Sequence, residues 1–247
     1  MVPAPPPALR LCLLGGFHLE FGDAAVTLST AAQHLLALLA ITHRHRPAPR
    51  ADLAERVWPD APGCQAASNL RSVLWRLPRP RGRQLVRSEA TTLRLSPDLE
   101  VDLWQGESLA ELLARVDGPV EQSGAELSTL AADLLPGWDE DWLEIERESY
   151  RQKRLHALER HSARLREQGR FVDALLAGLT AVRSEPLRET AHRRVIEVHL
   201  AEGNYSEALR QYRGYERLMS DELGLLPSPA IEELVAPLTR RPSRTRR

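Results

Sequence analysis

From residue 9 onward, the chain has short apolar segments separated by glycine, a pattern that predicts small β-strands joined by tight turns. They cover residues 9–14, 17–21 and 26–28, with Gly15-Gly16 and Gly22-Asp23 between them. A longer stretch follows that is apolar on most sides up to residue 43, with Ser29 or Thr30 at its start. Serine and threonine are good N-caps, and a helix that is apolar all round lies in a core. We therefore expect a buried first helix.

Two further helices and a hairpin complete the first hundred residues. Proline and glycine residues limit the helices to residues 50–58 and 66–77. Residues 84–87 and 92–95 lie on either side of a turn and are typical of a β-hairpin. Small strands, three helices and a terminal hairpin are the plan of a winged helix-turn-helix.

The rest of the chain follows a helical pattern that repeats itself. Helices are predicted at residues 103–117, 121–135, 140–168, 171–184, 187–202, 205–223 and 229–237. The pattern Gly-x-aromatic-x-x-Ala-Leu occurs at residues 169–175 and again 34 residues later, at 203–209. Thirty-four residues is about the period of a tetratricopeptide helix pair, in which glycine ends one helix and the aromatic residue and alanine pack in the next. The predicted organisation is a disordered leader (1–8), a winged helix domain (9–102), a tetratricopeptide-like domain (103–238) and a disordered basic tail (239–247).

The third predicted helix has two chemically different faces. Its inward stripe is apolar and consists of Leu70, Val73, Leu74 and Leu77. At about 100° per residue, the opposite face carries Ser68, Ser72 and Trp75, with Arg71 and Arg76 on its flanks. Arginine, serine and aromatic side chains suit the base edges, methyl groups and phosphates of a major groove. In the alternative interpretation, Trp75 packs on the hairpin and the arginines are merely solvated.

Arginine is concentrated around this helix. Residues 44–94 contain 11 Arg and four acidic residues, whereas residues 101–239 carry a net charge of −10. Such a cluster would follow a phosphate backbone and make binding strongly salt-dependent. The predicted phosphate contacts are Arg44, Arg46, Arg50, Arg79, Arg81, Arg83 and Arg87. Drift of charge on solvated surfaces is the alternative explanation.

The sequence contains no motif for catalysis or for cofactor binding. Cys12 and Cys64 are isolated, so we predict neither a disulfide framework nor a metal site. The only lysine, Lys153, is not part of a phosphate-binding loop, and no dinucleotide or hydrolase motif occurs. We expect a protein that is not an enzyme and uses no cofactor. Without a secretion signal or an apolar run of about 18 residues, the expected location is the cytoplasm and no membrane contact is expected.

Longer motifs resemble one known family. Residues 67–77, preceded by Val57-Trp58-Pro59-Asp60, resemble the recognition region of the actinobacterial antibiotic regulatory proteins. Residues 134–148, 201–212 and 221–229 are similar to the bacterial transcriptional activation domain of the same family. The resemblance covers residues 9–238, and the second half is the more specific part. One departure is that Pro78 and Pro80 end the third helix, which family members often continue with further arginine-rich turns.

The resemblance implies an OmpR-like winged helix that binds direct repeats upstream of biosynthetic promoters. It also implies that transcription is activated by recruiting RNA polymerase, through its σ or α subunit. The family's positions correspond here to Ser68, Arg71, Ser72, Trp75 and Arg76 for DNA reading, 83–95 for the wing and 59–63 for the loop that faces polymerase.

These observations predict a mainly α protein with a small β component, in which a winged helix-turn-helix precedes an all-α repeat domain. The predicted function is sequence-specific activation of transcription, in a secondary-metabolite (antibiotic) pathway. The predicted partners are double-stranded DNA, RNA polymerase and a second copy of the chain on DNA. The alternative is a tetratricopeptide-like scaffold or peptide sensor that does not read DNA. A small-molecule receptor that uses the concave repeat surface is supported by fold analogy alone.

Overall fold

The computed structural model describes residues 8–115 and 124–239, and these form two compact units. The first unit ends at Gln105 and also includes Asp133–Glu146, while the second consists of Gly106–Ala132 and the residues from Arg147 onward. The leader predicted at 1–8 and the tail predicted at 239–247 lie outside the described residues, apart from Ala8 and Thr239. Residues 116–123, at the junction of two predicted helices, also lie outside them.

A four-stranded sheet begins the first unit. Its strands are β1 (Leu9–Cys12), β2 (His18–Phe21), β3 (Ala24–Ala25) and β7 (Leu99–Val101), in the order β3-β2-β1-β7. The prediction of a strand at 26–28 was wrong, because the tight turn after β2 places Ala24 and Ala25 opposite that strand, and the Val26 amide adds one more bond, to the Leu19 carbonyl (2.7 Å). β7 was not predicted. It pairs in parallel with β1, so residues 99–101 supply the last strand of a sheet whose other strands lie within residues 9–25.

Three helices and a second sheet form the rest of the first unit. The helices are α1 (Thr30–Thr42), α2 (Arg50–Val57) and α3 (Gly63–Arg76), and the sheet comprises β4 (Ala48–Pro49), β5 (Val86–Ser88) and β6 (Thr92–Leu95) in the order β4-β6-β5. Ser29 caps α1 as predicted. The leucines of α1 are at most 1% exposed, so this helix is the centre of the core. The arrangement is the predicted winged helix-turn-helix, and we call the β5–β6 hairpin the wing.

The segment Asp133–Glu146 folds onto the first unit. Leu14 and Leu134 form an antiparallel bridge, the Gly15 amide donates to the Asp133 carbonyl (2.7 Å), and the Leu135 amide donates to the Leu13 carbonyl (2.8 Å). The prediction of helix up to residue 135 was therefore wrong, because these backbone groups pair with the first unit instead of with a helical turn. In the same stretch, the Asp102 carboxylate accepts from the amides of Leu13 (2.8 Å) and Leu14 (3.0 Å).

Trp138 belongs to the same segment. It precedes the next helix, which begins at Asp141. Its ring stacks on Phe17, with 5.9 Å between ring centroids, and lies 4.7 Å from His34. Trp138 is thus half-buried among side chains of the first unit.

The remaining helices are α4 (Asp102–Arg115), α5 (Gly124–Thr129), α6 (Asp141–Glu167), α7 (Phe171–Ser184), α8 (Glu189–Glu202), α9 (Tyr205–Leu223) and α10 (Pro229–Thr239). In the second unit, α7 packs on α8, α8 on α9, and α10 on both α8 and α9. Tyr212, Tyr215 and Met219 of α9 form a core with Ile231 and Val235 of α10. Among the described helices, none is both long enough and apolar enough to cross a bilayer.

The two copies of the repeated pattern agree in their backbone but differ at one side chain. Gly169 (φ 73°) and Gly203 (φ 84°) both adopt the left-handed conformation that ends a helix. Ala174 and Ala208 are both fully buried, as predicted. Phe171 packs against a buried cluster, whereas Tyr205 is 56% exposed, so the prediction of a packed aromatic residue was wrong for the second copy.

Candidate nucleic-acid interface

Helix α3 turns one face to the core and the other to solvent. It begins at Gly63, three residues before the predicted start, with Pro62 at the N-cap. Leu70 is 2% exposed, and Val73 and Leu74 are half-buried on the same side. The apolar stripe therefore packs α3 against the core of the first unit, as the spacing of its leucines and valine predicts.

The outward face carries the predicted reading residues. Trp75 is 83% exposed, so it does not pack on the wing. Arg71, Ser72 and Arg76 are exposed beside it. The Ser72 hydroxyl donates to the Ser68 carbonyl (3.1 Å), which leaves its lone pairs for an incoming donor. An indole this open to water is costly unless something covers it.

A cavity of about 260 Å³ separates this face from the wing. Arg71, Trp75 and Arg79 line one side of it, and Arg50 and Ser88 line the other. The guanidinium of Arg50 donates to the Ser88 hydroxyl and to the Glu89 carbonyl, so the start of α2 is tied to the wing. Basic side chains from three elements thus converge beside the outward face of α3.

Two predicted phosphate contacts lie elsewhere. The loop after α3 contains a short 3₁₀ turn at Pro80–Gly82, in which Arg81 has φ 46°. The guanidinium carbons of Arg81 and Arg83 lie 5.8 Å and 6.0 Å from the centroid of the Phe21 ring. Both arginines are therefore partly occupied in cation–π contacts with β2.

A third group is formed by the arginines before α2 and on the wing. Arg44 and Arg46 follow α1, and they line a second cavity, of about 470 Å³, together with Arg87. Arg94 lines it too and is paired directly across the wing with Arg87. Arg94 is not among the predicted phosphate contacts, although its direct pairing with Arg87 across the hairpin places the two on the same face.

The loop between α2 and α3 borders a cavity of about 410 Å³ lined mainly by small side chains. Ala54, Ala61 and Ala66 contribute to it, together with Pro59. Such a surface accepts an apolar side chain of a partner at little steric cost. No three His, Cys, Asp or Glu side chains within residues 8–115 and 124–239 are grouped so that they could hold a metal ion.

The chain is similar in sequence to known regulatory proteins. The family model described as the bacterial transcriptional activator domain matches residues 79–238. The regulatory protein AfsR of Streptomyces griseus is 26% identical over 244 residues, and AfsR of Streptomyces coelicolor is 28% identical over 238 residues, covering 94% and 92% of this chain. The chain spans only about a quarter of the length of each of these relatives (25% and 24%).

The solved structure of Mycobacterium tuberculosis EmbR in complex with a low affinity phosphopeptide is also similar. It matches with a TM-score of 0.67 and 21% identity, over 93% of this chain and 64% of EmbR. At this identity the likeness shows a shared fold, a winged helix followed by helices.

Proposed function

The chain belongs to the family of antibiotic regulatory proteins that carry a bacterial transcriptional activator domain, and we propose that it is a DNA-binding activator of transcription. The observation that carries the proposal is the outward face of α3. It exposes 83% of Trp75 between Arg71 and Arg76, while Leu70 of the same helix is buried. A helix of this kind fits a major groove, where guanidinium groups pair with guanine and an indole contacts thymine methyl groups.

The arginines around this face supply sequence-independent affinity in the proposal. Arg50 and Arg79 line the cavity between α3 and the wing, and in this proposal they would hold phosphates on either side of the groove. Arg81 and Arg83 would reach the backbone from the loop after α3. The contribution of Arg44, Arg46 and Arg87 stays a prediction, because these three lie at the other cavity. In this proposal, residues 9–102 carry the DNA-contacting surface, and residues 103–238 contact protein.

The proposal includes contacts with a promoter and with RNA polymerase. Two copies bound side by side would occupy direct repeats upstream of a gene for antibiotic biosynthesis. The loop at residues 59–63 would contact the σ or α subunit of RNA polymerase, and the alanine-lined cavity beside it supports this role by offering room for an apolar side chain. Crosslinking in the source cell, followed by sequencing of the DNA that copurifies, identifies the operator and the genes controlled.

With the operator known, gel-shift titrations test the residues. Arg71→Ala and Arg76→Ala are expected to weaken specific binding by about 1–3 kcal/mol each, since each removes a bidentate base contact. Arg213→Ala is the matched control, because Arg213 is also exposed but belongs to α9 in the second unit. Unchanged affinity for both α3 variants would reject the assignment of α3 as the reading helix.

A salt titration of the unaltered chain tests the arginine cluster. Affinity should fall steeply as salt rises, because each neutralised phosphate releases counterions. A flat response would show that the arginines are not the docking surface. If the full chain has no affinity for any DNA but still binds a protein partner, the alternative of a protein-binding scaffold is correct.

A further inference from the structure

The wing has two faces, and its arginines are not on the same face as the cavity beside α3. Val86 and Ser88 of β5 line the α3 cavity. Successive side chains of a strand point to opposite faces, so Arg87, which lies between them, points the other way. Arg94 is directly opposite Arg87 on β6 and shares its face. Within the 470 Å³ cavity, these two arginines therefore point away from the α3 cavity.

Several elements of the first unit build this second cavity. The loop after α1 contributes Arg44 and Arg46, the wing contributes Arg87 and Arg94, and α4 contributes Trp104. The apolar part of the lining includes Leu39, Leu95, Pro47 and Pro97. No carboxylate is among the described residues that line the cavity. Its volume is within the range of small-molecule sites, roughly 300–1,000 Å³.

The surroundings of His43 show that the local field is positive. His43 also lines the cavity, and burial lowers the pKa of its imidazole. Arg56 and Arg46 lower that pKa further, and only Asp52 acts in the opposite direction. On the wing, Arg94 is paired with Glu89 at 3.5 Å, a contact in which both side chains are about half exposed. A ligand with several negative charges would relieve the repulsion among these cations.

Trp104 gives the cavity a fixed flat wall. Its indole nitrogen donates to the Ala40 carbonyl (2.8 Å), which anchors the ring to the end of α1. The Arg44 guanidinium carbon lies 5.4 Å from the centroid of the same ring. A guanidinium next to an indole is a platform on which planar groups stack, because both are flat and polarisable.

We propose that this cavity binds a small organic phosphate with a planar body, of the nucleoside polyphosphate class. The phosphates would contact Arg46, Arg87 and Arg94, and the planar body would lie against Arg44 and Trp104. The DNA backbone offers the same phosphate chemistry, but Arg87 and Arg94 point away from the α3 cavity. The proposal does not depend on DNA binding by α3.

Calorimetric titration of the full chain at constant ionic strength tests the proposal, with ATP and inorganic tripolyphosphate as probes. Arg46→Ala and Arg94→Ala should each weaken ATP binding by about tenfold or more, since charge-assisted contacts to phosphate are the strong ones. Arg79→Ala is the matched control, because Arg79 lines the other cavity, and it should change the affinity less than about twofold. Tripolyphosphate should bind more weakly than ATP, since it has no planar body.

The competing source of phosphate is tested by adding a short DNA duplex to the ATP complex. Under the proposal, the duplex leaves ATP bound. The proposal is overturned if neither probe binds at millimolar concentration, or if Arg79→Ala weakens ATP binding as much as Arg46→Ala does. It is also overturned if the duplex displaces ATP and Arg46→Ala weakens DNA binding as strongly as Arg71→Ala, since DNA phosphates then fill the cavity. Equal affinity for tripolyphosphate and ATP would overturn the role of Trp104.

Discussion

Replacing Gly178 by alanine tests how tightly the helices of the second unit are packed. Gly178 is buried in the middle of α7. A Cβ atom at this position would lie 3.0 Å from Cγ2 of Val195 on α8 and 3.2 Å from Oγ of Ser162 on α6. Ordinary contacts of a methyl group are longer, about 3.5–4.0 Å. The alanine can therefore be accommodated only if one of these neighbours moves.

Neither neighbour moves easily. Val195 is fully buried and β-branched, so its χ1 has essentially one favourable rotamer in a helix. Ser162 is also fully buried, and its hydroxyl donates to the Ala174 carbonyl at 2.8 Å. Overpacking of this kind costs about 1–3 kcal/mol. Alanine recovers about 1 kcal/mol of helix propensity relative to glycine, so we expect Gly178→Ala to lower the free energy of unfolding by about 1 kcal/mol.

Gly214 is the matched control. It lies in the middle of α9 in the same unit, and a Cβ atom there would have no neighbour within 4 Å. Gly214→Ala should therefore raise the free energy of unfolding by about 0.5–1 kcal/mol, from propensity alone. Urea unfolding followed by far-UV circular dichroism measures both changes, provided that the m-value stays constant.

Removing the Val195 methyl groups should relieve the strain. In a double-mutant cycle, Gly178→Ala should be less harmful in a Val195→Ala background, with a coupling energy of about 1 kcal/mol. If Gly178→Ala stabilises the chain as much as Gly214→Ala does, the helices are not in close contact at this point and the reasoning fails.

Three further predictions concern polar side chains that are buried or half-buried. Glu197, which is 9% exposed, pairs with three arginines, so Glu197→Gln should cost about 2–3 kcal/mol in urea unfolding. Glu207→Gln should cost less than about 0.5 kcal/mol, because the Glu207 side chain is 39% exposed and pairs with the exposed Arg210. Burial lowers the pKa of His161 to about 4, so its imidazole stays neutral in the folded chain while the unfolded chain takes up a proton below about pH 6.5. Stability should therefore fall as the pH drops from 6.5 to 4, at up to about 1.4 kcal/mol per pH unit, and unfolding midpoints of His161→Phe that fall just as steeply would contradict this. Asp102→Ala removes the acceptor of three backbone amides, those of Leu13, Leu14 and Leu103, and should cost about 2–4 kcal/mol, with a smaller loss for Asp102→Asn. Tryptophan fluorescence measures the loss, since all five tryptophans lie in the first unit.

Local signals explain which parts of the fold could be predicted from the sequence. The glycines at 169 and 203 end helices because a left-handed residue suits glycine, and Pro59 and Pro78 limit α2 and α3 because proline cannot continue a helix. The outward position of Trp75 follows from the spacing of the α3 leucines. These features depend on neighbours within one or two helical turns, and all of them are found in the structure.

The missed features depend on residues far apart in sequence. β7 becomes a strand only because it pairs with β1, ninety positions earlier in the chain, as in Leu9 with Leu99. The helix predicted up to 135 ends at Thr129, since the backbone beyond it bonds to residues 13–15 instead. The grouping of arginines is similar. Counting charge along the chain cannot show that the wing separates Arg79 from Arg87.

The return of Asp133–Glu146 to the first unit has a consequence for how the chain folds during synthesis. Leu14, just after β1, lacks its bridge partner until Leu134 has left the ribosome. At about 5–20 residues per second, the nascent winged helix waits several seconds for this segment after β7 is complete. During that interval, the Phe17 ring lacks its stacking partner Trp138, and the backbone at Leu13–Gly15 lacks its partners in Asp133–Leu135. A chaperone that binds apolar segments would bind at this site.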